Sequence, residues 1–322
     1  MDWYIWVIIA VVVMLIAGTV IMLVKTLPIA DYVFNTQFTR PENPEKGWTR
    51  YVCSFPENDE NMDMHNQGMA WGEENKEVRE EVSITSFDGL KLCGQYFDFG
   101  FKKAAIFLAG RAEPCTYSYY FAMPYKGYGY NVLVIDGRGN GLSEGSHSCA
   151  GMKEYKDTQD WIRFLNEKKG NEKVVIHGIC MGSSAGLRAV AQPGCPDCVE
   201  AVIGDGMYTT FYETLRTHFI DLGKPVFPVC YEVVFKIKQL TGKNVMVEGP
   251  IKDIKKYTGP LLMIHGREDV FSLPAKAEKL FKSSPSTHKK LVWFEKGMHS
   301  HLKIVAPEKY DATVGEFLKE FN

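Results

Sequence analysis

Short apolar runs alternating with helical stretches constrain this chain more than any other feature. The runs are Ala104–Ala109, Val132–Ile135, Val174–Ile176, Val199–Ile203, Leu261–Ile264 and Leu291–Phe294. All but Val199–Ile203, which carries Glu200, are continuously apolar, as expected of strands buried on both faces. Between them, helical patterns occupy about 115–126, 153–169, 181–192, 274–283 and 306–321. Met152 to Lys168, for example, carries Tyr155, Trp161, Ile162 and Leu165 near helical spacing, with charges between them. Ahead of these, Val82 to Phe87 alternates as a strand, Asp88-Gly89 turns, and Leu90 to Phe97 returns. The fold class this predicts is α/β: a mostly parallel mixed sheet opened by an antiparallel hairpin, with helices on both faces. The alternation breaks between Gly206 and Tyr257. That stretch holds Phe211, Tyr212, Phe219, Phe227 and Phe235 around Pro225 and Pro228. It predicts a small helical cap over one end of the sheet.

The 322 residues divide into three parts. Trp3 to Val24 is 22 residues without a charge. As a helix it spans roughly 33 Å, enough to cross a hydrocarbon core of about 30 Å. Trp3, Tyr4 and Trp6 stand at one end as interfacial rings, and Lys25 closes the other. Asp2 occupies a position where a cleaved signal peptide would carry a basic residue. Residues 1–25 are therefore expected to be a retained single-pass anchor. Lys25, Arg40, Lys46 and Arg50 all follow the span, so the positive-inside rule places the rest of the chain on the cytoplasmic side. Residues 26–79 read as a stalk. Arg40 to Gly47 is turn-rich, and Glu57 to Asn66 is acidic and irregular. Val33, Phe34, Phe38, Trp48, Tyr51 and Phe55 supply apolar bulk that can pack on the domain beyond. The α/β domain covers 80–322, with the cap at 206–258.

Lys plus Arg total 37 against 39 Asp plus Glu, a net charge of −2. That balance excludes a general nucleic-acid binder, which needs a basic surplus. Eight cysteines are too few for a disulfide scaffold and suit a reducing compartment. Cys195 and Cys198 form one CxxC, read as loop cysteines with a redox or disulfide pairing as the alternative. No paired CxxC pattern suggests zinc, and no metal or organic cofactor is implied.

Ligands of open α/β sheets bind beyond the carboxyl ends of the strands. There a nucleophile can sit on a sharp strand–turn–helix bend flanked by glycines. Three pentapeptides have the form Gly-x-(Ser/Cys)-x-Gly. Gly141 to Gly145, centred on Ser143, lies in a glycine-rich loop with no helix following. Gly182 to Gly186, centred on Ser184, falls a turn inside a helix. Gly178-Ile-Cys180-Met-Gly182 directly follows one strand and directly precedes a helix. Cys180 is therefore the candidate nucleophile, its thiolate favoured by the helix N-terminus.

A thiol nucleophile needs a base, and the base an orienting acid. Asp269 stands on the loop after Leu261–Ile264, with Glu268 as its rival. His299 follows Leu291–Phe294, with His301 as the alternative. The order Cys180, Asp269, His299 matches one known arrangement of such triads. Two aimed N–H groups must hold the oxyanion. Met181, next to the nucleophile, and Arg111, after Gly110, are the candidates. The Arg111 guanidinium is a further candidate contact for an acidic substrate group. Tyr117, Tyr119, Tyr120 and Phe121 line a pocket or fill the core.

Over about residues 80–322 the chain resembles the α/β-hydrolase superfamily. The resemblance rests on Asp136-Gly-Arg-Gly-Asn-Gly-Leu-Ser143, the Gly178–Gly182 bend, Gly266-Arg-Glu-Asp269 and Gly297-Met-His299. It looks most like bacterial membrane-anchored hydrolases of the serine aminopeptidase and prolyl-oligopeptidase branch. Two departures stand out: Ala109-Gly110 where the family usually has His-Gly, and Cys180 where it usually has Ser. Gly-x-Cys-x-Gly bends are similar to those of dienelactone hydrolases and some acyltransferases. The resemblance implies cleavage of ester, thioester or lactone-type bonds of a small-molecule acyl substrate through a Cys-His-Asp triad. Acyl transfer by the same cysteine and a catalytically inactive binding protein are the alternatives.

Overall fold

A computed structural model describes residues 2–42, 48–50, 60–111 and 113–321. The first element, helix α1 (Trp3–Phe38), runs 36 residues and carries Pro28 within it. It is long and apolar enough to cross a membrane. It continues 13 residues beyond Lys25, into the segment read as a stalk. Helix α2 (Glu60–Glu74) occupies 15 residues of the remainder. Glu60 to Asn66 is thus helical, not irregular as expected. Tyr51, Phe55 and the turn at 43–47 lie outside the described residues, while Trp48 is buried.

Eight strands follow: β1 (Arg79–Thr85), β2 (Lys91–Phe97), β3 (Lys103–Leu108), β4 (Tyr130–Ile135), β5 (Lys173–Ile179), β6 (Val199–Asp205), β7 (Leu261–Gly266) and β8 (Lys289–Phe294). Their order in the sheet is β1-β2-β4-β3-β5-β6-β7-β8. β1–β2 and β2–β4 are antiparallel, and every other pairing is parallel. From β3 the chain steps first to one side, to β4, and then to the other, to β5. This reversal opens a crevice beyond the carboxyl ends of β3 and β5, the place where such sheets hold ligands.

Alternate strand residues face opposite layers. Ala105 and Phe107 pack with α2, with α3 (Tyr117–Ala122), and with the C-terminal α10 (Leu302–Val305) and α11 (Pro307–Lys319). Ala104, Ile106 and Leu108 pack on the other side with α4 (Glu154–Arg163), α5 (Met181–Ala191) and α9 (Pro274–Ser283). Two expected helices are shorter than their patterns. α3 gives way to a 3-10 turn at Met123–Tyr128, and α4 widens into a π turn at Phe164–Lys168. Cys195 and Cys198 are both free thiols.

The insert between β6 and β7 forms α6 (Phe211–Asp221), α7 (Val229–Thr241) and the short α8 (Pro250–Asp253). Its core joins that of α1. Ala30, Phe34 and Phe38 pack with Phe211, Leu215, Val229, Val233 and Ile237. The Phe34 and Phe38 rings stack at 5.5 Å, and Phe38 meets Phe211 edge-on at 5.4 Å. Each large side chain so buried is worth roughly 1.5–3 kcal/mol. The second half of α1 is therefore a structural part of the cap rather than a spacer.

Candidate active site

Cys180 joins β5 to α5 with φ 53° and ψ −113°. Holding a non-glycine residue there costs on the order of 1–3 kcal/mol, and the surroundings over-determine it. Its N–H donates to the Asp205 carbonyl at 2.8 Å, tying the bend to the end of β6. The flanking glycines are steric requirements. A Cβ at Gly178 would lie 2.4 Å from the Ser183 backbone, and one at Gly182 would lie 1.9 Å from the Leu108 carbonyl oxygen. The bend can form only because helix, strand and the β3 loop touch backbone to backbone. The other two pentapeptides take structural places. Ser143 is buried, its hydroxyl donating to the Asp136 carbonyl and accepting from the Cys93 N–H, both at 2.8 Å. Ser184 is buried within α5.

The imidazole of His299 lies over Gly206, where a Cβ would come within 2.9 Å of the ring. His299 Nδ1–H donates to Asp269 Oδ2 at 2.7 Å. Asp269 is fixed in turn, since Oδ1 accepts the N–H groups of Phe271 at 2.9 Å and Ser272 at 2.7 Å. This leaves Nε2 of His299 free of the carboxylate, in the cavity that Cys180 also lines. Burial alone would lower the His299 pKa. The electrostatic pull of the Cys180 sulfur and the Asp269 hydrogen bond outweigh it, and hold the imidazole well above its usual value. Burial likewise opposes the Asp269 charge, but the His299 hydrogen bond and charge bring that carboxyl below its usual range. Glu268 instead faces outward, bonded to Lys296 and to the Gly297 N–H at 3.1 Å each. His301 lines the same cavity, while the hydrogen bond to Asp269 is made by His299.

A pH dependence follows with a definite sign. A histidine with a raised folded pKa adds stability that is complete below about pH 6.5, its unfolded value. That stability is lost as pH rises through the higher folded value. Urea melts of the wild type and His299→Ala, across about pH 5–9, should show a gap that narrows toward high pH. A gap that widens would contradict the assigned environment.

Met181 is the first residue of α5, so its N–H has no acceptor within the helix. The Arg111 loop lies against this end, as the Leu108 and Ala109 carbonyls beside Gly182 require. The Arg111 guanidinium donates to the Gln37 carbonyl at 2.7 Å and lies over the Phe38 ring. Among the described residues no carboxylate comes within salt-bridge distance of it. Glu113 is a site group that the sequence did not single out. Its carboxylate accepts the Gly110 N–H at 2.7 Å, and burial raises its pKa against the pull of that N–H, His299 and Arg111. A charged residue in the loop after a buried strand was the available signal.

Beneath the bend lies a buried polar chain: Tyr125 to His177 at 2.8 Å, His177 to Tyr310 at 3.0 Å, and Tyr310 donating to Asp205 at 3.0 Å. Burial pushes His177 down to about 3, so its ring is neutral, and pushes Asp205 up to about 7.

Cys180, Met181, His299, Arg111 and Glu113 all line one cavity of about 920 Å³. Tyr117 and Phe121 line it too, while Tyr119 and Tyr120 sit in the core. Among the described residues no group of three or more His, Cys, Asp or Glu is placed to hold a metal ion.

Comparison with known proteins agrees with this architecture. The profile of the alpha/beta hydrolase fold matches residues 106–226, and that of the serine aminopeptidase S33 family matches residues 246–303. YqkD of Bacillus subtilis is 28% identical over 60% of this chain and 64% of its own length. Bem46 of Schizosaccharomyces pombe is 27% identical over 61% and 60%. The chain thus spans less than two thirds of the length of these curated relatives. Among solved structures, the Pyrococcus furiosus esterase Pf2001 superposes with a TM-score of 0.63 at 22% identity, covering 77% of this chain and 95% of that one. An Exiguobacterium antarcticum esterase superposes with 0.55 at 17% identity, covering 74% and 100%. At these identities the likeness is one of fold. The eight-stranded mixed sheet, the matched profiles and the glycine-flanked bend together place the chain in the α/β-hydrolase superfamily.

Proposed function

We propose that the protein is a membrane-anchored hydrolase that cleaves ester, thioester or lactone-type acyl bonds through Cys180, His299 and Asp269. One observation carries this reading: a strained thiol at a helix N-terminus shares a cavity with an imidazole whose Nδ1 is 2.7 Å from a fixed carboxylate. That arrangement activates a nucleophile. The Cys180 sulfur attacks the substrate carbonyl carbon, and a C–S bond forms. The thiol proton passes to His299 Nε2. Asp269 stabilises the imidazolium, and the N–H groups of Met181 and Arg111 hold the oxyanion. The carbon–leaving-group bond then breaks, and the departing oxygen or sulfur takes the proton from His299. Water adds to the S-acyl enzyme, gives its proton to His299 and releases the acid as the C–S bond breaks. The cysteine recovers its proton.

The anchor is α1, whose uncharged segment suits a bilayer. A relative 26% identical, YNL320W of Saccharomyces cerevisiae, is described as a membrane protein. The four basic residues after the span and the free thiols favour the cytoplasmic face.

The test is a panel of p-nitrophenyl esters and thioesters with the detergent-solubilised full chain, followed by peptide mapping after a fluorophosphonate or an activated-ester probe. Turnover with an adduct on Cys180 is the expected result. An adduct on another residue, or no turnover together with an unreactive Cys180, overturns the reading. Products acylated on an added amine would identify transfer in place of hydrolysis.

A further inference from the structure

The candidate site sits at one end of a cavity whose other end can be located against the anchor. Two contacts tie α1 to α7: the Thr26 hydroxyl donates to Glu232 at 2.8 Å, and Lys236 pairs with Asp31. The contacts advance in the same direction on both helices, so α1 and α7 run parallel. The start of α7 and the loop before it, residues 222–228, therefore face the uncharged half of α1. Val229 lies three residues below Glu232, about 4.5 Å. This sets the loop beside the top of the segment that ends at Lys25.

The loop and its neighbours expose several apolar side chains beside the charged Asp221 and Lys224. Ile220, Leu222, Phe227 and Tyr231 are 51%, 55%, 56% and 41% accessible. Four such side chains grouped on a cap are an unusual surface in water and an ordinary one at a lipid interface, where aromatic rings are favoured. The cavity connects this surface to the thiol. Leu222, Pro225 and Val229 line it below, and Cys180, His299 and Arg111 line it above. α1 forms one wall from Ile29 to Phe38, about 13 Å of helix. Phe211, Leu215 and Phe219 of α6 form another wall. At about 920 Å³ it is near the top of the range for small-molecule sites, roughly 300–1,000 Å³. Arg111, Glu113 and His299 line it near the thiol, Thr36, Thr214 and His218 add polar groups along the α1 and α6 walls, and Lys224 stands at the lower mouth.

We infer that the substrate is a long-chain acyl ester or thioester of an amphiphile resident in the bilayer, which enters sideways between α1 and the 222–228 loop. Its acyl chain lies along the walls of α1 and α6, and its carbonyl and polar part reach Cys180. This rests on the acyl-hydrolase reading of the site and adds to it the chain length and the route.

The test uses the full chain reconstituted in phosphatidylcholine vesicles, with p-nitrophenyl palmitate in the bilayer and p-nitrophenyl butyrate in solution. Palmitate should be turned over at least ~10-fold faster, a span of about 1.4 kcal/mol. Ile29→Trp, which fills the cavity, should lower the palmitate-to-butyrate ratio at least ~10-fold. Phe227→Asp should raise KM for vesicle-borne palmitate but not for the same ester in detergent micelles. Equal rates for both esters, with ratios unmoved by either variant, would overturn the inference and leave the hydrolase reading intact. Failure of both esters, with no labelling of Cys180, would instead remove the underlying reading.

Discussion

Cys180→Ala lowers kcat/KM for an activated acyl ester at least ~10³-fold while leaving the protein folded. The methyl group keeps the bend, because φ and ψ there are enforced by Gly178, Gly182 and the Asp205 carbonyl rather than by the thiol. On the proposed mechanism, what disappears is the atom that forms the acyl intermediate. The residual rate comes from binding and from the oxyanion N–H groups, which act without a nucleophile. Cys180→Ser is the informative companion. A hydroxyl in the same place still meets His299, so measurable turnover persists, while alkylation by iodoacetamide at this position is lost. Steady-state kinetics on p-nitrophenyl acetate, with circular dichroism to confirm folding, decide the matter. An alanine variant within tenfold of wild type would mean that chemistry at this site does not pass through the sulfur.

Arg50→Ala costs about 3–5 kcal/mol of stability, the largest effect expected of a residue outside the cavity. Arg50 is 2% accessible and Asp136 fully buried. Its Nε and Nη2 donate to one Asp136 oxygen at 2.8 and 2.6 Å, while Nη1 donates to Glu81 at 2.5 Å. That Asp136 oxygen also accepts the Leu142 N–H at 3.0 Å, and so holds the glycine-rich loop after β4. Removing the guanidinium strands a buried carboxylate without a cation. Arg50→Met with Asp136→Asn removes both charges and should recover most of the loss. Urea titrations of the full chain in detergent measure this. A single variant within about 1 kcal/mol of wild type would show that the pair is dispensable.

Much of this architecture is legible in the amino-acid order because its determinants are local. All eight strands announce themselves, the central ones as largely apolar runs, since a strand covered on both faces has little room for polar residues. The bend at Cys180 is legible for the same reason: strand, glycines, thiol and helix are contiguous. Asp269 and His299 could be nominated because each follows a strand, and parallel strands end on one edge of a sheet. Whether they meet is another matter, and only the packing of the loops brings Nδ1 of His299 to Asp269 while sending Glu268 outward.

Helix α2 shows where such reading runs out. Its stretch is acidic and contains Gly68 and Gly72, each worth about 1 kcal/mol against a helix. Those glycines are spaced one turn apart so that α3 can approach. A Cβ at Gly72 would collide with the Tyr119 ring at 2.5 Å, and one at Gly68 would sit 3.0 Å from the Tyr120 backbone. A contact with a distant element overrides the local preference, and nothing nearby in sequence records it. The same holds for Glu113, for the Arg50–Asp136 pair and for the second half of α1.

Taken alone, the order of residues determined the strands, the thiol-bearing bend and a segment able to span a bilayer, because each is written in neighbours a few positions apart. Tertiary structure alone decided that α1 runs on into the cap, that one carboxylate and one imidazole meet, and that a single cavity joins the thiol to the foot of the cap. These depend on side chains far apart in the chain filling one volume, and close packing selects such partners by shape rather than by sequence pattern.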